Sequence, residues 1–161
     1  MTTIAVTGHM DLAYSSVPLV GEALRETLKP YAPELTGVSC IARGADTLFA
    51  EAVLDLGGSL VVVLPSKDYR QAKVKPDHAE TFDRLIEAAA EVIVLDHETA
   101  NRAAYEDANR TLLSRADRLV AVWDGAPPSG KGGGTADTVL EARGTGLPVD
   151  VIWPEGAARH G

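Results

Sequence analysis

Residues Arg118–Arg143, RLVAVWDGAPPSGKGGGTADTVLEAR, join three kinds of sequence in one run. Arg118-Leu-Val-Ala-Val-Trp123 is a short apolar stretch of the kind that forms a buried strand. Gly125, Gly130 and Gly132 to Gly134 then make a loop in which the backbone is free to adopt positive φ and to approach a ligand closely. A helix is predicted to start at Thr135. Its first N–H groups, unpaired within the helix and at the positive end of its dipole, suit a phosphate or carboxylate.

The same strand-then-helix order repeats on either side. Apolar runs occur at Ile4-Ala-Val6, Leu60-Val-Val-Val-Leu64, Glu91-Val-Ile-Val-Leu95 and Val149-Asp-Val-Ile-Trp153, with a weaker one at Gly37-Val-Ser-Cys-Ile41. Most are continuous rather than alternating, as expected of parallel strands covered on both faces. Between them, Val20/Leu24/Leu28, Leu48/Ala52/Leu56, Phe82/Leu85/Ile86/Ala89 and Ala104/Ala108/Leu112/Ala116 repeat at helical spacing. Pro18 falls in the first turn of the first helix, Gly57-Gly58 stop the second, and Thr99 or Asn101 caps the fourth. This alternation predicts one α/β domain over residues 1–155, a three-layer sandwich around an open, mostly parallel sheet of six or seven strands. The stretch from Gly156 to Gly161 reads as a flexible tail.

In such sheets ligands bind beyond the carboxyl ends of the strands, where strand order reverses. The loops on that edge are Thr7-Gly8-His9-Met10, Ile41-Ala-Arg43-Gly44-Ala-Asp46, Pro65 to Asp77, Asp96-His97 and the glycine loop. His9 either contacts a ligand or faces solvent. Asp46 suits the start of a helix as a cap, and Arg43 offers a fork for an anion; both readings stay open. Lys67, Arg70, Lys73 and Lys75 crowd one loop, where they either steer an anion inward or are simply solvated.

The glycine loop has the Gly125-x-x-x-x-Gly130-Lys131 spacing of a P-loop, but Gly132 stands where a magnesium-binding hydroxyl belongs. The loop follows the fifth strand instead of the first, and Pro127 and Pro128 remove amides that would face phosphate. Two readings remain, a phosphate cradle of Gly132, Gly133, Gly134 and Thr135, or a surface loop carrying a lysine. The first turn lacks the G-x-G-x-x-G dinucleotide fingerprint. G-x-S-x-G is absent, which removes support for a serine hydrolase. His9, His78, His97 and His160 show no i,i+4 pairing and there is no C-x-x-C, so neither a metal nor a bound cofactor is expected.

Fifteen Lys and Arg against 23 Asp and Glu leave a net charge of −8, which disfavours nucleic acid as a partner. No apolar run approaches the ~20 residues of a membrane span. The start MTTIAVTG has no basic segment or cleavage site and reads as cytoplasmic. Cys40, the single cysteine, ends an apolar strand and reads as a buried structural thiol.

Thr7-Gly8 at the end of the first strand, Ala42-Arg43-Gly44-Ala45-Asp46, Asn109-Arg110, Ala116 to Gly125, and Gly-Gly-Thr135-Ala together resemble the SLOG superfamily. That group holds the lonely-guy phosphoribohydrolases and the Rossmann-like domain of DNA-processing protein A, and the resemblance spans residues 3 to 154. It implies a Rossmann-like fold and a nucleotide or sugar-phosphate ligand with its phosphate near Gly133-Gly134-Thr135. It also implies a homo-oligomer. The lonely-guy signature places a catalytic glutamate after the glycines, where this chain has only the shorter Asp137. Its catalytic arginine corresponds to Arg102 or Arg110. The resemblance thus implies either a nucleotide-binding sensor or carrier, or a phosphoribohydrolase that cleaves the N-glycosidic bond of a nucleoside 5'-monophosphate. A scaffold without a ligand is the third reading.

Overall fold

The structure, a computed structural model, describes residues 1–130 and 134–160. Six strands form one sheet: β1 (Thr2–Gly8), β2 (Leu35–Ser39), β3 (Ser59–Leu64), β4 (Glu91–Val94), β5 (Arg118–Val122) and β6 (Val149–Ile152). Their order is β4-β3-β2-β1-β5-β6 and every pairing is parallel. The expected α/β sandwich is therefore present, with an all-parallel sheet. The helices are α1 (Val17–Leu28), α2 (Ala45–Asp55), α3 (Tyr69–Lys73), α4 (Pro76–Ala88), α5 (Arg102–Arg115) and α6 (Thr135–Gly144).

Alternation along the strands sorts the core into two layers. Ile4 and Val6 of β1, with Val120 and Val122 of β5, pack with Val20, Leu24 and Leu28 of α1 and Phe49 and Val53 of α2. Ala5, Val38, Val61, Val63 and Leu119 point the other way, onto Ala108 and Leu112 of α5 and Ala142 of α6. Leu60 and Val62 meet Phe82 and Leu85 of α4. Both faces are thus covered, which is why the strands read as unbroken apolar runs. Asn101 caps α5, its side-chain oxygen accepting the Ala104 N–H at 2.9 Å.

Three local features differ from the sequence reading. The weak second strand starts two residues earlier and stops at Ser39. The basic loop holds a short helix, α3, because Asp68 and Ser66 organise its entry: Ser66 Oγ donates to Asp68 Oδ1 at 2.7 Å, and Asp68 Oδ1 accepts the Ala100 N–H at 2.9 Å. Ala158 to His160, in the segment expected to be a free tail, lie instead against the β1–α1 loop. Ala13 N–H donates to Ala158 O (2.9 Å), Ala158 N–H to Ser16 Oγ (2.8 Å), and Leu12 bridges Arg159 in antiparallel fashion. No described helix is long and apolar enough to cross a membrane.

Candidate functional site

Strand order reverses at β1, whose neighbours are β2 on one side and β5 on the other. Beyond its carboxyl end opens a cleft of about 650 Å³, within the ~300–1,000 Å³ typical of small-molecule sites. Val6, Ala108 and Leu112 give it apolar walls, and Thr7, Gly8, His9, Asp46, Thr135 and Asp137 add polar groups. Tyr69 and Lys73 of α3, Lys75, Tyr105 of α5 and Arg159 complete its rim and sides.

Gly8 and Gly44 make the cleft edge possible by letting β1 and α2 touch. A Cβ on Gly8 would lie 2.4 Å from the Cβ of Ala45 and 2.9 Å from that of Val122. Gly44, at φ 84° and ψ −129°, crosses the end of β1 where a Cβ would lie 2.6 Å from the His9 carbonyl oxygen. The Ala45 N–H that follows donates to that same oxygen at 3.2 Å. Gly44 itself stays outside the cleft lining, and Gly8 lines it as a packing glycine.

His9 is buried, not solvent-facing. The backbone N–H of Asp124 donates to its Nε2 at 3.1 Å, so the neutral ring carries its proton on Nδ1. Its ring meets Trp153 edge-on, with centroids 5.7 Å apart. Burial, then the positive charge of Arg159, holds the imidazole below its ordinary pKa despite the carboxylate of Asp124 at 3.2 Å. His9 thus ties β1 to the loop after β5. Arg159 Nε lies 2.9 and 3.1 Å from the two oxygens of Asp11 and brings a cation to the cleft from the end of the chain.

The β2–α2 turn is held under strain. Ile41 is fully buried at φ 48°, a conformation that β-branched residues rarely adopt. Ser39 Oγ accepts the Ile41 N–H (3.0 Å) and donates to the Asp46 carbonyl (3.1 Å), while His78 Nε2 lies 3.1 Å from the Ile41 oxygen. This turn fixes Asp46 in the cleft wall. Desolvation pushes the Asp46 carboxyl up to about 7, against the opposing pull of a hydrogen bond from the Ala42 backbone. Cys40 beside it is buried and its thiol is pushed up by burial first, then by Asp46, consistent with a structural thiol.

Thr135 and Asp137 start α6 at the cleft. Asp137 turns its carboxylate back, Oδ2 accepting the Gly134 N–H at 3.1 Å, so one face of this residue caps the helix. Asp137→Ala is expected to lower stability by about 1 kcal/mol through loss of that cap, read from the urea midpoint. Lys131, Gly132 and Gly133 fall outside the described residues, so the proposed cradle is seen only at Gly134 and Thr135.

The arginines named from the sequence go elsewhere. Arg43 pairs with Asp77 of α4 at 2.5 Å. Arg110 pairs with Asp107 on a separate shallow pocket beside His97, and Arg102 faces Glu106 at 3.8 Å. None of the three lines the cleft. Tyr69, Tyr105 and Arg159 carry no signal in the sequence; of the four basic residues in the loop after β3, Lys73 and Lys75 reach the cleft.

No protein-family model and no curated protein matches the sequence. Solved structures do match in three dimensions. DNA processing protein A from Streptococcus pneumoniae superposes with a TM-score of 0.69 at 19% identity, over 97% of this chain and 52% of that one. The chain thus spans about half the length of that protein. The Helicobacter pylori protein of the same name, described with a single-stranded DNA binding mode, gives 0.67 at 16% identity over 98% and 68%. The molybdenum cofactor carrier protein from Chlamydomonas reinhardtii gives 0.58 at 19% identity over 93% and 75%. The chain shares the Rossmann-like fold of these proteins, the fold implied by its SLOG-like motifs.

Proposed function

We propose that the chain binds a phosphate-bearing small molecule, a nucleotide or nucleotide derivative, in the cleft at the end of β1, as a sensor or carrier. One contrast among its cations carries this reading. Lys67, Arg70, Arg43, Arg110 and Arg118 all face carboxylates. Among the cations that line the cleft, Arg159 is paired with Asp11, while Lys73 and Lys75 have no ion pair among the described residues. Uncommitted ammonium groups beside an apolar cleft and the first turn of α6 are suited to an incoming anion. Thr135 and the backbone at the start of α6 would take the phosphate, and the apolar walls a flat ring. The fold likeness to a molybdenum cofactor carrier supports a carrier role. The net charge of −8 supports a small anion over a polynucleotide. The engagement of Asp137 with Gly134, and the remoteness of Arg102 and Arg110, support binding over cleavage.

Titration calorimetry with ribose 5-phosphate, nucleoside monophosphates and a single-stranded oligonucleotide tests this directly. The monophosphates are expected to bind, and Lys73→Ala/Lys75→Ala to weaken them roughly tenfold or more with a shallower salt dependence. Absence of binding by any monophosphate would sink the reading. Free base appearing on chromatography would replace it with a phosphoribohydrolase, and oligonucleotide binding alone with a DNA-binding role.

A further inference from the structure

We propose that Asp46 is the specificity residue of this cleft and that it selects a ring bearing two adjacent N–H donors, such as the Watson–Crick edge of guanine. The inference rests on the nucleotide-binding reading above and adds the identity of the base.

Asp46 stands in the first turn of α2 and lines the cleft on the β2 side of β1, opposite α6. The ends of the cleft therefore differ. Thr135 and the start of α6 provide for phosphate on the β5 side of β1, while Asp46 lies on the β2 side, as does α3 with Tyr69 and Lys73 one turn apart. Tyr69 and Tyr105 give the cleft flat ring surface. The titratable groups that feel Asp46 are the Cys40 thiol, just after β2, and the Tyr69 hydroxyl of α3, while Tyr105, Lys73, Lys75 and His9 line the same cleft. None of these cations appears among the causes that set the Asp46 carboxyl, which are desolvation and the Ala42 N–H alone. The thiol and both phenols are themselves pushed up by burial, so all three stay neutral near pH 7.

A carboxylate has about four lone-pair positions. Among the described residues no side chain donates to it, and the Ala42 backbone is what favours its ionised form. A desolvated charge with spare acceptor capacity is satisfied by a ligand that brings donors. Guanine presents N1–H and N2–H side by side, which is a bidentate match to two carboxylate oxygens. Adenine presents one donor and one acceptor there, and so matches only the protonated acid. Hydrogen bonds to the ionised group are roughly twice as strong as neutral ones, which favours the guanine-type edge wherever Asp46 is ionised.

Calorimetry of the full chain with GMP, AMP and ribose 5-phosphate tests the inference, with the Asp46→Asn variant beside it. GMP is expected to bind at least tenfold tighter than AMP at pH 8. Asp46→Asn is expected to lose most of that preference, because the Asn amide opposes a donor with a donor, while ribose 5-phosphate affinity stays within twofold. From pH 6 to pH 8 the wild-type GMP affinity should rise relative to that of ribose 5-phosphate, which corrects for ionisation of the phosphate itself. The variant should show no such rise. AMP binding as tightly as GMP, or a GMP-to-AMP ratio unchanged in Asp46→Asn, overturns the base assignment and leaves the nucleotide reading standing. Failure of all three ligands to bind overturns both.

Discussion

Replacing Gly44 with alanine is expected to remove about 3–5 kcal/mol of folding stability, a large part of the ~5–15 kcal/mol typical of a domain. Two costs combine. The backbone at φ 84° and ψ −129° lies in a region that is essentially restricted to glycine, worth ~1–3 kcal/mol for any other residue. The added Cβ would also press on the His9 carbonyl oxygen at 2.6 Å and the Met10 oxygen at 2.8 Å, backbone atoms that cannot turn aside. Overpacking of that kind adds ~1–3 kcal/mol. Gly57→Ala is the matched control, because Gly57 has φ 79° but nothing within 4 Å of where a Cβ would stand. It should cost only the ~1–2 kcal/mol of the left-handed backbone. Urea unfolding of the two variants separates strain from collision; equal losses would mean that the contact with β1 is unimportant.

Asp46→Asn is expected to change how stability depends on pH. Folding raises this carboxyl from 3.8 to about 7, so between those values the native chain holds a proton that the unfolded chain has released. Its contribution to stability is therefore greatest in acid, declines as pH rises through this window, and is flat above about 7. Across the window the wild type should lose on the order of 4 kcal/mol more than the variant. His9 works in the opposite sense, since its lowered pKa makes acid destabilising below its ordinary value of 6.5, but it is common to both proteins and cancels in the difference. The measurement is urea unfolding at intervals from pH 4 to pH 8. Parallel curves for the two proteins would show that Asp46 is solvated like an ordinary surface carboxylate.

The sheet was legible because burial on both faces leaves a trace in each strand, and helices such as α1 and α2 carry their apolar stripe in order. β2 was placed late because Leu35 and Thr36 alternate like a surface segment, although Leu35 is buried. α3 was hidden because five residues with two cations carry no periodicity, and its entry depends on Asp68 reaching Ala100, far along the chain. The site was legible in its loops and less so in its residues. Arg43 looked available until α4 set Asp77 beside it, a partner 34 positions away. Asp46 looked like a cap because helix starts attract acids, and nothing in its neighbours in sequence shows that it lines one cleft with Tyr69 and Tyr105. Arg159 lay in a stretch with the composition of a loose end. What local pattern encodes was readable; what long-range pairing decides was not.

The position of β1 in the sheet has a consequence for how the protein is made. β1 leaves the ribosome before the other five strands, yet one of its two neighbours is β5, with Ile4 paired to Arg118. Until more than a hundred further residues have been synthesised, one edge of an apolar strand has no partner. At the ~5–20 residues per second of translation, that interval lasts from several seconds to about twenty. During this time the nascent chain must shield Ile4-Ala-Val6 with α1 and α2 alone or present it to other chains. Mutations that weaken the α1–α2 layer should therefore lower the yield of folded protein in cells more than its measured equilibrium stability would suggest.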